Sequence, residues 1–205
     1  MLTYELKENN VAFIQLDDGK ANALSPDVMS EILKALDQAE AEAKSVVIAG
    51  REGRFSAGFD LKHLMASPES AKKILHCGIE LYLRLYGFPK PVVLACTGHA
   101  MAGGAVMLLT GDYRIGAEGN FKIGLNEVAI GLPLPIFAVE LAKARLDPRF
   151  LNEATTLAKI YAPTHALNIG YLDRVVDADQ VIGAALAKAS ELGEFQTFPF
   201  HATKM

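Results

Sequence analysis

The chain has 205 residues with 20 Lys and Arg against 24 Asp and Glu, a formal net charge of −4. No block of like charge stands out, which excludes the clustered cationic footprint of a nucleic-acid binder. The hydrophobic share of 51% and charged share of 21% are those of a globular protein, expected to form one domain over residues 1–205, with its core in 1–190 and a short or truncated tail from 191. Cys77 and Cys96 are too few for a disulfide framework and fit a reducing compartment. The start, Met1 to Leu6, lacks the basic and apolar regions of a signal peptide. No apolar run approaches the roughly 20 residues of a membrane span. A cytoplasmic location without membrane association is the expectation.

In chain order, residues 2–7 and 11–16 read as two strands around a Glu8-Asn9-Asn10 turn. Residues 19–24 read as a loop. Ser25-Pro26 is a helix start, with Ser as the capping acceptor and Pro at the first helical position. That helix is expected to run to Ala43, with Val28, Met29, Ile32, Leu33 and Leu36 on its apolar face. Residues 46–49 and 91–96 read as strands buried on both faces. A helix is expected over 69–86 and another from Gly103-Gly104 to Gly111. Residues 113–116 are strand-like, two or three helices fill 135–168, 172–176 returns as a strand, and 177–192 is helical. Residues 195–205 contain aromatics but no evident partner within the chain. Strands alternating with helices give an α/β class.

Two glycine-containing segments follow buried strands. One is Phe55-Ser56-Ala57-Gly58-Phe59-Asp60-Leu61; the other runs from Gly98 to Gly104 and opens a helix. Small residues let a ligand approach the backbone, and a helix N-terminus offers unpaired N–H groups. Two such turns could aim two donors at one oxygen. Either alone serves equally for tight turning and close packing. Neither is a dinucleotide or phosphate-loop fingerprint. A third segment, residues 121–131, sets Glu127 among apolar neighbours. Burial would raise its pKa and strengthen it as a base; by itself the same residue reads as an exposed loop Glu or a helix cap.

These segments occur in the order and spacing of the crotonase (enoyl-CoA hydratase/isomerase) superfamily. The resemblance rests on Asn22-Ala23-Leu24, Ser56 to Leu61, Ala102-Gly103-Gly104, Asp112-Tyr113-Arg114-Ile115, Asn126-Glu127 and Ala166 to Val176. It implies a crotonase-like fold: ββα units repeated in a spiral with flanking helices. It further implies an acyl-CoA substrate, no cofactor beyond the coenzyme A of that substrate, no metal, and a homo-oligomer, either a trimer or a dimer of trimers. By matching, the oxyanion hole falls on the backbone N–H groups of Phe59 and Gly103. Coenzyme A is implied near Lys20, Ala21, Ala23 and Leu24, and near Ser56, Ala57, Gly58, Phe59, Asp60 and Leu61.

Hydratases of this family use two glutamates. One matches Glu127; the other matches Val106, which cannot transfer a proton. A single carboxylate suits the 3-enoyl-CoA to 2-enoyl-CoA isomerases, which Gly124-Leu125-Asn126-Glu127 resembles. Glu127 is then the proton carrier, Asn126 orients substrate or base, and Val106 belongs to an apolar wall that keeps water away. The alternatives are hydration, decarboxylation or thioester hydrolysis on the same scaffold, and, in a different class, a non-catalytic acyl-CoA-binding or assembly protein. His99, beside the second turn, is expected to pack or hydrogen-bond, and Lys62 either meets coenzyme A phosphates or is solvated.

Overall fold

The computed structural model describes residues 2–205. The first half of the chain forms β1 (Leu2–Lys7), β2 (Val11–Leu16), β3 (Ala23–Leu24), α1 (Pro26–Glu42), β4 (Ser45–Ala49), β5 (Gly53–Ser56), β6 (Gly58–Phe59), α2 (Leu61–Leu64) and α3 (Pro68–Tyr86). The second half forms β7 (Val92–Cys96), β8 (Gly98–Met101), α4 (Gly103–Thr110), β9 (Tyr113–Ala117), β10 (Ile123–Gly124), α5 (Ile136–Arg145), α6 (Leu151–Ala154), α7 (Pro163–Ile169), β11 (Arg174–Val176), α8 (Val181–Leu192) and α9 (Thr197–Lys204).

The large sheet has the order β1-β2-β4-β7-β9-β11; β1 and β2 are an antiparallel hairpin and the other pairs are parallel. A second, parallel sheet has the order β10-β8-β5, and β3 pairs with β6. Three passes of chain share one form: β4–β5–α3, β7–β8–α4 and β9–β10–α5. Each lays one strand in the large sheet and one in the small sheet, then adds a helix. This is the ββα spiral that the sequence implied.

Side-chain alternation explains why residues 46–49 of β4 and all of β7 are apolar. Val46, Ile48, Val92, Leu94 and Cys96 face one core with α1, α3 and α4. Their alternates Val47, Ala49, Val93 and Ala95 face a second core with Val181, Ala185 and Ala189 of α8. With both faces covered, these positions take apolar residues, and the one polar residue of β4, Ser45, stands at its first position. Helix α4 is buried along its whole length, so it too is apolar up to its last residue, Thr110, whose hydroxyl donates to Met107 O at 2.7 Å. Ser25 caps α1 as its sequence predicts, its side chain accepting from Val28 N at 3.3 Å. No helix among the described residues is long and apolar enough to cross a membrane.

The segment from Asp112 to Ile115 and the return at 166–176 meet in an ion pair. Buried Arg114 donates from Nε and Nη2 to the two carboxylate oxygens of Asp173, both at 2.7 Å, and from Nη1 to Gly170 O at 2.7 Å. The planar fork of arginine matches the carboxylate, which fastens β11 to β9.

Four expectations need correction. Ala23 and Leu24 are not loop: they form β3, because buried Leu24 anchors them beside β6. Gly98 to Met101 is a strand rather than a turn, since β5 and β10 flank it. The strand expected from Leu172 starts only at Arg174, because Asp173 turns its carboxylate to Arg114. The tail does find a partner. Lys204 Nζ donates to Asp112 Oδ2 at 2.9 Å, Phe88 O at 3.2 Å and Leu85 O at 3.5 Å. It so caps the last carbonyls of α3 with a cation, the favoured charge there.

The Lys204 and Asp112 side chains are 7% and 12% exposed. Stripping one partner from a buried pair costs about 3–5 kcal/mol, so Lys204→Ala should lose about 3 kcal/mol in urea unfolding. A loss below about 1 kcal/mol, the scale of an exposed pair, would show that α9 is not held by this contact.

Candidate active site

The first turn is built by Asn22. Its backbone is left-handed (φ 51°), a conformation that Asn tolerates. Its buried side chain donates to Leu16 O at 2.8 Å and to Arg54 O and Phe55 O, both at 3.2 Å. It also accepts from Asp18 N at 3.0 Å. Ser56 Oγ donates to Asn22 O at 2.8 Å and accepts from Gly58 N at 3.1 Å. The 17–22 loop is thereby stitched to β5, and β3 is laid along β6. Asp60 N donates to Leu24 O at 3.2 Å. Alternation along the strand turns the preceding N–H, that of Phe59, away from β3.

The second turn enters α4 through Ala102, which holds φ 50° and ψ −125°, a region costly for a residue with a Cβ. Ala102 N donates to Gly124 O and Val106 N to Ala102 O, both at 3.0 Å. Gly103 is the first residue of α4, so its N–H has no acceptor within the helix.

The two turns touch. A Cβ on Gly58 would lie 2.7 Å from Gly103 N and 2.9 Å from Met101 O, and Gly58 itself has φ 88°. A Cβ on Gly103 would lie 3.4 Å from Phe59 N. A Cβ on Gly104 would lie 2.3 Å from Ser56 O. Glycine is therefore required for the approach that brings the N–H groups of Phe59 and Gly103 side by side.

Glu127 lies three residues beyond Gly124, whose carbonyl holds the second turn. It is half-buried, at the start of a short 3-10 turn (Val128–Ile130). Its Oε2 and the Oδ1 of Asn126 are buried without a protein hydrogen-bond partner. Burial raises the Glu127 pKa, its own backbone N–H lowers it, and no other charged group contributes. The phenols of Tyr82 and Tyr171 are pushed up mainly by their own burial, and the Glu127 charge adds to this in both. Glu127 thus faces phenols and apolar surface rather than a cation. A carboxylate so placed is a proton acceptor of raised basicity.

Lys20 and Ala21 lie on the loop before β3, where Arg51 donates from Nε to Lys20 O at 2.9 Å. Leu24 and Ser56 are fully buried, so they shape the backbone and offer no side chain to a ligand. Asp60 caps α2, accepting from Lys62 N and from His63 Nδ1, both at 2.9 Å. Leu61 and Lys62 are exposed. Val106 is 2% exposed, a turn of helix beyond Gly103.

The sequence did not disclose a cationic group. Arg54 on β5, His99 on β8 and Lys122 before β10 line a cavity of about 380 Å³ together with Ala21, Ala57 and Met101. Lys122 N donates to His99 Nδ1 at 3.0 Å, which leaves Nε2 as the ring's donor. The His99 pKa is lowered, first by burial and then by Arg54 and Lys122. Among the described residues neither Arg54 nor Lys122 forms an ion pair. Three donors without a carboxylate make a site for an anion. Only the pairing of three separate strands brings them together.

A family model described as Enoyl-CoA hydratase/isomerase matches residues 6–204. The human mitochondrial protein named enoyl-CoA delta isomerase 1 is 31% identical over 95% of this chain, which spans 65% of that protein's length. A Bacillus subtilis protein named probable enoyl-CoA hydratase is 33% identical over 90% of this chain and 73% of its own. A crystal structure of an enoyl-CoA hydratase/isomerase family protein from Pseudomonas syringae superposes with a TM-score of 0.96 at 41% identity, covering 99% of this chain and 88% of that one. The chain belongs to the enoyl-CoA hydratase/isomerase family.

Proposed function

We propose that this protein isomerises 3-enoyl-CoA to 2-enoyl-CoA. The observation that carries the reading is Glu127, a half-buried carboxylate of raised pKa on the segment whose Gly124 carbonyl holds the second turn, with buried Val106 one helical turn past Gly103 where a second acid would be needed. The thioester oxygen takes the N–H groups of Phe59 and Gly103. Glu127 removes a proton from the alpha carbon, and the electron pair spreads through a dienolate onto that oxygen. The same carboxyl then returns the proton to the gamma carbon, which moves the double bond into conjugation. The oxyanion donors carry the largest share of such a step, each about 100- to 1000-fold.

Arg54, His99 and Lys122 belong in this reading to the phosphate end of coenzyme A, next to the loops of Ala21 and Ala57. A homotrimer, single or paired, is part of the same reading; exposed Ile136, Leu157 and Phe198 supply apolar surface for it. Hydration is the second reading, favoured by the name of the Bacillus subtilis relative.

Purified protein given a 3-enoyl-CoA should form the conjugated product, seen by its absorbance, and should leave a 2-enoyl-CoA intact. Glu127→Gln should lower the rate by about 100- to 10,000-fold, the contribution of a positioned base. Rapid loss of conjugation from the 2-enoyl-CoA would make the protein a hydratase, and silence with both would sink either reading.

The pH dependence follows from the upward shift of Glu127. The base must be ionised, so kcat/KM should fall on the acid side at a pH above the ordinary carboxylate value of 4.5. Stability moves the other way. A raised folded-state pKa means that the ionised form penalises folding once pH rises through it, and that the penalty vanishes below. Glu127→Gln should therefore resist urea better than wild type at pH 7, with the gap closing as pH falls; an equal gap at all pH would refute this.

The double variant Arg54→Ala/Lys122→Ala should raise KM for a coenzyme A thioester about 10-fold or more at low salt and little at high salt. The corresponding pantetheine thioester, which lacks the nucleotide, should be turned over equally by both proteins. Equal loss with both substrates would remove the phosphates from this cavity.

A further inference from the structure

Helix α3 carries two residues, Gly78 and Tyr82, one turn apart on the face that meets both site turns. Tyr82 is buried, and its hydroxyl donates to Gly103 O at 2.8 Å. The fit is close: a Cβ on Gly103 would sit 2.8 Å from that hydroxyl oxygen. Gly78 makes room for the ring of Phe59. A Cβ at position 78 would lie 2.4 Å from Phe59 Cζ and 2.6 Å from its Cε1. The Phe59 and Tyr82 rings pack with centroids 6.1 Å apart, and Phe137 of α5 backs Tyr82 at 5.6 Å. One helix face thus touches both residues whose N–H groups lie side by side, one through its ring and the other through its carbonyl.

The backbone itself makes such a restraint necessary. Gly103 stands between Ala102, held at φ 50°, and Gly104, so the turn is strained on one side and unrestrained by side chains on the other. Ala102 N bonded to Gly124 O fixes the entry to the turn. Among the described residues, Tyr82 is the one side chain with a hydrogen bond to Gly103 itself. On the Phe59 side, the ring socket at Gly78 sets where the main chain of β6 stands relative to α4.

We propose that Gly78 and Tyr82 are positioning residues that clamp Phe59 N and Gly103 N into one geometry, with α3 as the rigid jaw. The clamp deepens the isomerase reading and rests on it for its effect on rate. It acts on the stabilisation of developing charge and not on the affinity for the coenzyme A carrier. A small displacement of reacting groups can cost up to about 100-fold in rate.

Tyr82→Phe keeps the ring and removes only the hydroxyl. It should lower kcat about 10- to 100-fold while KM for the 3-enoyl-CoA stays within about twofold. Gly78→Ala should do the same by pushing the Phe59 ring, and Gly78→Ala/Phe59→Leu, which shortens that ring to a branched chain, should recover most of the lost kcat. Urea midpoints are measured for each variant, because a merely structural role would move stability alone. An unchanged kcat in folded Tyr82→Phe, or no recovery in the folded double variant, overturns the clamp. Should wild type turn over neither enoyl-CoA, the isomerase reading fails and the clamp is read from amide hydrogen exchange. Tyr82→Phe should then speed exchange of the Ala102 and Val106 amides about 10-fold, and unaltered exchange there overturns the clamp on its own.

Discussion

Everything in the site depends on two stretches of main chain meeting with nothing between them. The contact of residues 56–59 with 101–104 leaves no room for a Cβ at Gly58 or Gly104. It brings the backbone N atoms of Phe59 and Gly103 close together, and it needs support from every side because glycines supply none. Asn22 and Ser56 hold the first stretch by buried hydrogen bonds. Gly124 O holds the second, and α3 presses on both. The ββα spiral provides the supports, since each pass returns a small-sheet strand and a helix to the same place.

The electrostatics follow from the same arrangement. Glu127 is set among phenols and apolar groups, so burial acts on it unopposed by any cation. The cations Arg54 and Lys122, with the His99 ring between them in sequence, stand at a separate cavity beside Ala21 and Ala57. The arginine and lysine that would quench the base thus line a different cavity. The buried pairs Arg114–Asp173 and Lys204–Asp112 do structural work, fastening an edge strand and the tail helix.

Much of the large sheet was legible because local signals agree with tertiary ones. Val46 to Ala49 and Val92 to Cys96 are apolar at every position, and Ser25-Pro26 announces α1. The small sheet was not legible. Strands such as Gly98–Met101 and Ile123–Gly124 are too short for periodicity and are defined by partners far along the chain. The same non-locality hid the grouping of Arg54, His99 and Lys122 and the role of Tyr82, whose hydroxyl meets a carbonyl 21 residues further along the chain. Glu127 and the glycine turns could be singled out because their residue types are themselves informative. The tail escaped notice because its contact runs through a single lysine to the end of α3.

The two N–H groups are peptide groups, which has a consequence for anyone who would redesign this scaffold. Replacing any side chain by alanine leaves both donors in place, so scanning of that kind would miss them. Only proline at position 59 or 103, or a shift of the main chain, takes one away. The side chains around them, by contrast, can be exchanged one at a time. If the proposed reading holds, a protein organised in this way can change its reaction without first giving up the means of holding a negatively charged oxygen.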